Sequence, residues 1–260
     1  MFQVTSIVSK YVKQLKAVQN FIYPYACLKC QTHLDDFSGL CHICAQHLDY
    51  IAKNYCNHCG YPFDLSIGSD ILCAKCLQNP PLYTKARSIF YYQDGIKPLI
   101  LKLKYADAHH IVPFLGEQML IYMKIHALNP DYIIPVPSHY RRLWFRMYNQ
   151  TALLADYIVK SDNSHHLKPL MQGLKRVKYN TQKDATRLQR EQNLKNAFIC
   201  PNALHDRIKG KNILLIDDVM TSGATINACT KALLKAKPHS IHVLTLARVT
   251  MQTHNLEIDF

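Results

Sequence analysis

Ile213-Leu214-Leu215-Ile216-Asp217-Asp218-Val219-Met220-Thr221-Ser222-Gly223-Ala224-Thr225 is the stretch that decides the fold. Its four leading apolar residues read as a strand buried on both faces, the habit of a parallel sheet. Ala224 to Lys237 then follows a helical pattern stopped by Pro238. Open α/β sheets bind ligands beyond the carboxyl ends of their strands, and this strand ends in two acids and a Thr-Ser-Gly turn. Successive N–H groups and hydroxyls at a helix N-terminus suit a phosphate, and Gly223 lets the main chain approach it closely. Asp217 and Asp218 would repel a phosphate but can accept hydrogen bonds from a sugar diol. The block therefore predicts a grip on a ribose 5-phosphate. It is neither a P-loop nor a dinucleotide fingerprint, because no Gly-Lys-Ser/Thr follows the strand and no Gly-x-Gly-x-x-Gly occurs.

The flanking pattern agrees with such a sheet. Ala86 to Tyr92, Tyr132 to Pro137 and Ile241 to Leu246 read as strands, and Gly95 to Lys104, Val112 to His126 and Asn149 to Lys160 as helices. Strands alternating with helices imply an α/β fold with helices on both faces of a mostly parallel sheet. Before all this, Val4, Ile7, Val8, Tyr11, Val12, Leu15 and Ile22 repeat at helical spacing and predict an amphipathic helix over 1–24.

The region between is governed by cysteine. Eight of the ten cysteines form four Cys-x-x-Cys pairs, Cys27/Cys30, Cys41/Cys44, Cys56/Cys59 and Cys73/Cys76. Scattered cysteines would give roughly 0.4 such pairs. Two intervening residues let both sulfurs face one ion, as tetrahedral zinc requires, so eight thiolates predict two structural zinc sites. Sequential pairing, 27/30 with 41/44 and 56/59 with 73/76, is the simplest assignment, and the spacing does not exclude an interleaved one. A closed shell of four thiolates leaves no position for a catalytic water. His33, His42, His47 and His58 are expected at the surface, and Cys229 in the core.

Thirty-one Lys and Arg against 18 Asp and Glu give a net charge of +13, which favours polyanionic partners. Arg142, Arg146, Arg176, Lys178, Arg187 and Arg190 fall in segments expected to flank the phosphate site, interleaved with Tyr140, Trp144, Phe145, Tyr148 and Tyr179. Cations mixed with aromatics are the composition of a single-strand nucleic-acid groove, with Arg142, Trp144, Arg146, Arg176, Lys178, Arg187 and Arg190 as its candidate contacts. No apolar run spans a bilayer and no secretory leader is evident, so a reducing, cytoplasmic setting is expected.

The acid-pair block resembles the signature of type I phosphoribosyltransferases, which bind phosphoribosyl pyrophosphate (PRPP). With the cysteine knuckles, the chain resembles the ComF family, a group linked to natural transformation that includes GntX-type members. Further matches are Pro135-Val136-Pro137-Ser138-His139 with Arg141-Arg142, and Arg146-Met147-Tyr148-Asn149-Gln150, where the family usually has Arg-Gly-Phe-Asn-Gln. The resemblance implies a double zinc ribbon over 25–80 and a Rossmann-like phosphoribosyltransferase domain over 81–260. It implies that Asp217 and Asp218 hold the ribose hydroxyls and that Thr221, Ser222, Gly223, Ala224 and Thr225 cradle the 5-phosphate. Pro137, Ser138, Arg141 and Arg142 would meet pyrophosphate, with Mg²⁺ carried by the ligand's own oxygens. Single-stranded DNA and competence proteins such as a DNA helicase are the partners it implies. A housekeeping enzyme acting on a nucleobase and a non-catalytic PRPP sensor are the alternatives.

Overall fold

The computed structural model describes residues 25–36, 38–63, 71–138, 148–163, 166–177 and 197–250. The expected 1–24 helix, residues 139–147, 164–165 and 178–196, and the last ten residues lie outside them. The chain divides between Leu48 and Asp49 into two compact units.

The first unit holds one cysteine knuckle pair and the short helix α1 (His42–Gln46). Cys41 caps that helix, its sulfur facing the Cys44 N–H at 3.5 Å. An antiparallel bridge of Ala26 with His33 closes the other knuckle. The second unit opens with the other knuckle pair and helix α2 (Ala74–Gln78), then builds a five-stranded sheet.

That sheet contains β1 (Lys85–Tyr91), β2 (Tyr132–Pro135), β3 (Lys168–Pro169), β6 (Asn212–Met220) and β7 (Ser240–Arg248), in the order β1-β7-β6-β2-β3. Every pairing in it is parallel. A small antiparallel pair, β4 (Lys175–Arg176) with β5 (Phe198–Ile199), stands apart. Ile213 to Ile216 are at most 1% exposed, as a central parallel strand demands.

Helices α3 (Lys97–Tyr105), α4 (Val112–Ile125), α5 (Gln150–Ser161), α6 (His205–Ile208) and α7 (Ala224–Leu234) complete the unit. In α7, Ile226, Cys229, Thr230 and Leu233 recur at helical spacing and are buried, with Cys229 in the core as expected. Ile226, Cys229 and Leu233 join Ile213, Leu215 and Val243 in one apolar cluster, which also takes in Cys56, Cys59 and Cys76. The second knuckle pair thus packs with the sheet.

Strand β6 is longer than the apolar run that announced it. Its pairing with β2 ends at Pro135 opposite Ile216, while its pairing with β7 continues to Met220 opposite Arg248. Proline cannot donate to the ladder, so the Pro135-Val136-Pro137 segment stops β2 early. Asp217 and Asp218 are therefore inside a strand, beside the edge left where β2 ends. The chain lays β3 outside β2 and then returns to place β6 on its other side, so this edge is the topological switch point of the sheet.

Candidate functional site

Successive residues of a strand point to opposite faces, and the two acids divide accordingly. Asp218 pairs with Lys104 at the end of α3, Nζ to Oδ1 3.0 Å, with both side chains under a fifth exposed. Asp217 acts on the buried Cys229 thiol of α7, pushing it further above its ordinary value beyond what burial does. Its own carboxyl is pushed up to about 8, first by burial and then by the Asp218 charge. The Asp218 N–H, donating to Asp217 Oδ1 at 2.9 Å, and the Lys104 charge pull the other way. Lys104 is a site residue that reads in the sequence only as the end of a helix. Its signal is position: it lies four residues after buried Ile100 and next to buried Leu103, on the inward side of α3.

Beyond the acids, Thr221 and Ser222 are exposed and Gly223 takes φ +78° before α7 begins at Ala224. A Cβ at Gly223 would need that left-handed backbone and would come 3.0 Å from Met220 Cε, so the position demands glycine. No side chain caps the first turn of this eleven-residue helix, although Ser222 Oγ accepts weakly from the Ala224 N–H at 3.4 Å. The free N–H groups and the helix dipole make an anion cradle beside the carboxylates.

Across the switch point, Val136 N–H donates to Ile216 O at 2.9 Å, and Pro137 and Ser138 are half-buried. Asn149 caps α5, accepting from the Thr151 N–H at 3.2 Å, and its Nδ2 donates to Val136 O at 3.2 Å. The Thr151 hydroxyl donates to the same carbonyl at 2.7 Å. Ser138 Oγ lies 2.8 Å from Asn149 Oδ1 and 3.3 Å from Gln150 Oε1. Gln150 is 3% exposed, and its Nε2 has no hydrogen-bond partner among the described residues. The Asn-Gln pair thus fastens a second helix N-terminus to the loop after β2.

Tyr148 is half-buried, donates to Leu103 O at 2.9 Å and meets the His109 ring edge-on at 4.2 Å. It anchors α3 next to Lys104, so the aromatic singled out as interleaved with the cations is tied to the core. Arg176 lies in β4 with its guanidinium 5.3 Å from the Phe198 ring centroid, and its charge opposes that of Asp217 at Cys229. Arg141, Arg142, Trp144, Arg146, Lys178, Arg187 and Arg190 lie outside the described residues.

The cysteines form two groups, Cys27, Cys30, Cys41, Cys44 and Cys56, Cys59, Cys73, Cys76, each with all four sulfurs within 4.8 Å of one another. Pairing is therefore sequential and not interleaved. Sulfurs of Cys30 and Cys41 are 3.7 Å apart, as are those of Cys59 and Cys73. A tetrahedron with Zn–S of about 2.3 Å has edges of about 3.8 Å, so both groups fit zinc and neither is a disulfide. His58 corrects the expectation of a surface histidine: its ring bonds Tyr83 O at 2.8 Å and packs edge-on against the Tyr83 ring.

A cavity of about 830 Å³ opens near Asn212 at the opposite, amino end of β6. Asp131 on its wall is already held by Lys211 and the Asn212 N–H.

Residues 18–78 match the double zinc ribbon domain and residues 164–258 the phosphoribosyl transferase domain. Competence protein F of Haemophilus influenzae is 31% identical over 240 residues, covering 89% of this chain and 100% of that protein. The chain belongs to the competence protein F family. Competence protein ComFC of Bacillus subtilis is 27% identical over 80% of this chain and 84% of that protein. The DNA utilization protein YhgH of Escherichia coli K12 is 29% identical over 81% of this chain and 90% of that protein. As the sequence predicts for a ComF chain, the fold is a parallel α/β phosphoribosyltransferase fold preceded by two zinc ribbons.

Proposed function

We propose that this ComF protein binds PRPP with Mg²⁺ at the carboxyl end of β6 and handles single-stranded DNA taken up in natural transformation. The observation that carries the reading is the juxtaposition at the switch point of an acid pair, an uncapped helix N-terminus and the Ser138 loop. In this reading Thr221 to Thr225 take the 5-phosphate on N–H groups and hydroxyls, and Asp217 and Asp218 accept from the ribose diol. Ser138 and Gln150 meet the pyrophosphate, with Arg141 and Arg142 beyond the described residues. The Gln150 Nε2 group without a partner supports this, since a buried donor left unmade costs about 1–3 kcal/mol and a phosphate oxygen would satisfy it.

Mg²⁺ would be carried at this end of the sheet mainly by the pyrophosphate and ribose oxygens of the ligand, a hard-oxygen donor set, with the Asp218 carboxylate nearby and paired with Lys104. Bound there, the ion would neutralise pyrophosphate. Such a site works by positioning and by preorganised dipoles, the means of stabilising an oxocarbenium-like ribose as pyrophosphate departs.

The DNA half of the reading is supported by the net charge of +13 and by the relatives, which carry the names competence protein and DNA utilization protein. No helix among the described residues is long and apolar enough to cross a membrane, and the reduced thiol groups suit the cytoplasm.

Complementation of a transformation-deficient deletion strain tests both halves together. The unaltered protein should restore transformation, and the variant carrying Asp217→Ala and Thr221→Ala, expressed to the same level, should not. Full restoration by that variant would separate the sugar-phosphate site from DNA handling and overturn the reading.

A further inference from the structure

Arg248, the last residue of β7, is 5% exposed and has no carboxylate partner among the described residues. Its Nη1 donates to the Cys59 carbonyl at 2.7 Å and lies 3.1 Å from Met220 Sδ. Its Nη2 is 3.9 Å from Cys59 Sγ, and the guanidinium stands 5.2 Å from the Tyr61 ring centroid. A buried cation costs several kcal/mol unless an anion compensates it. The anion available is the second cysteine cluster, because four thiolates on Zn²⁺ leave a net charge of −2.

The same groups hold the phosphate loop. Met220, touched by Arg248, is the final residue of β6, and its Cε closes over Gly223. Lys75 sits between the ligands Cys73 and Cys76, and its ammonium donates to Ser222 O at 2.7 Å. A few residues on, Leu82 N–H donates to Asn227 Oδ1 in the opening turns of α7 at 3.3 Å. Cys59 and Cys73 come from separate knuckles, and zinc would lock together the segments that carry Arg248's partner and Lys75. The loop is thus gripped at Met220, Ser222 and Asn227 from the side of one zinc site.

We propose that the second zinc site braces the phosphate loop, so that zinc on Cys56, Cys59, Cys73 and Cys76 and PRPP on the Thr221–Thr225 loop strengthen each other's binding. Lys75 and Arg248 are the positioning residues. The inference rests on the PRPP reading above and adds a regulatory link to it: metal status at one of the two zinc sites sets affinity at the sugar-phosphate site. The physical basis is ordering. Loop N–H groups that the brace already holds in place cost less to immobilise on a phosphate, and binding free energies coupled in this way are reciprocal.

Reciprocity supplies a test on the unaltered full chain. Zinc-loaded protein is equilibrated with a competing chelator with and without Mg²⁺ and PRPP, after calorimetry on the same sample has shown PRPP binding. Free zinc with PRPP corrects for metal held by the ligand itself. We expect one of the two zinc ions to be held roughly 5- to 20-fold more tightly with PRPP and the other to be unchanged. Lys75 is exposed, so Lys75→Met will not compromise folding; it should remove most of the protection, Lys75→Arg should retain it, and Lys209→Met, an exposed charge elsewhere, should leave it intact. PRPP binding with both zinc ions withdrawn equally would overturn the brace while leaving the site reading in place. A Lys75→Met variant with full protection would remove Lys75 from it. Absence of any PRPP binding would overturn the reading on which it rests, and the brace with it.

Discussion

Replacing Asp217 by Asn should make the protein more stable at alkaline pH and little different at acid pH. The folded Asp217 carboxyl titrates at about 8, raised by burial and by Asp218, whereas an unfolded aspartate titrates near 3.9. A raised folded pKa means that the native state binds the proton more tightly. The contribution is fully present below about pH 4 and is lost as pH rises towards 8. Moving a carboxyl from about 4 to about 8 sets a ceiling of about 5 kcal/mol. Asp217 is partly open to solvent and feels Lys104, so about 2 kcal/mol is the working figure. Asn keeps the oxygen that accepts from the Asp218 N–H at 2.9 Å and cannot ionise. For a unit of this size about 2 kcal/mol corresponds to roughly 4–8 °C in melting temperature. Zinc-loaded wild type and variant should therefore melt together at about pH 4 and diverge as pH rises, by that amount at pH 8.5, since zinc effects cancel in the difference. A difference between the two that does not change with pH would refute the assignment of a proton to Asp217.

Gly60 takes φ +70°, and a Cβ there would lie 2.5 Å from the Ala86 carbonyl oxygen, so Gly60→Ala should destabilise the second unit by about 1–3 kcal/mol, read by urea unfolding. Elemental analysis of protein purified under reducing conditions should give about two zinc ions per chain, and fewer than one would contradict the cysteine geometry. Single-stranded DNA should bind better than duplex and keep part of its affinity at high salt, because stacked bases retain about 1–3 kcal/mol each. Arg142→Glu should change the salt slope, and Trp144→Ala should weaken binding at all salt concentrations; anisotropy titrations read both.

The sheet was legible because each of its long strands carries its own signal. Ile213 to Ile216 are continuous and buried, and the Pro135-Val136-Pro137 run ends β2 as prolines must. Strands β3, β4 and β5 were not legible, being two residues long and held by neighbours distant in sequence. The acids and the Thr-Ser-Gly turn declared themselves because they are contiguous. Lys104 did not, since its ion pair with Asp218 spans more than a hundred residues and only the packing of α3 brings them together. Cysteine spacing announced two metal sites but could not say which knuckles pair. It also gave no sign that the second site would pack with the sheet, a contact made by Arg248 and His58 through backbone carbonyls. Carbonyl partners leave no trace in residue identity. Tyr148 misled for the opposite reason: aromatic composition beside cations matches a stacking surface, yet its hydroxyl is spent on Leu103 O.

Calorimetric titration of PRPP with Mg²⁺ into the zinc-loaded protein tests the central claim most directly. Saturable binding of one PRPP per chain is expected. Thr221→Ala should weaken it about ten- to a hundredfold, by loss of a hydrogen bond to a charged group worth about 1.5–3 kcal/mol. No binding by the unaltered protein, or equal binding by the Thr221 variant, would contradict a phosphoribosyl site at the end of β6.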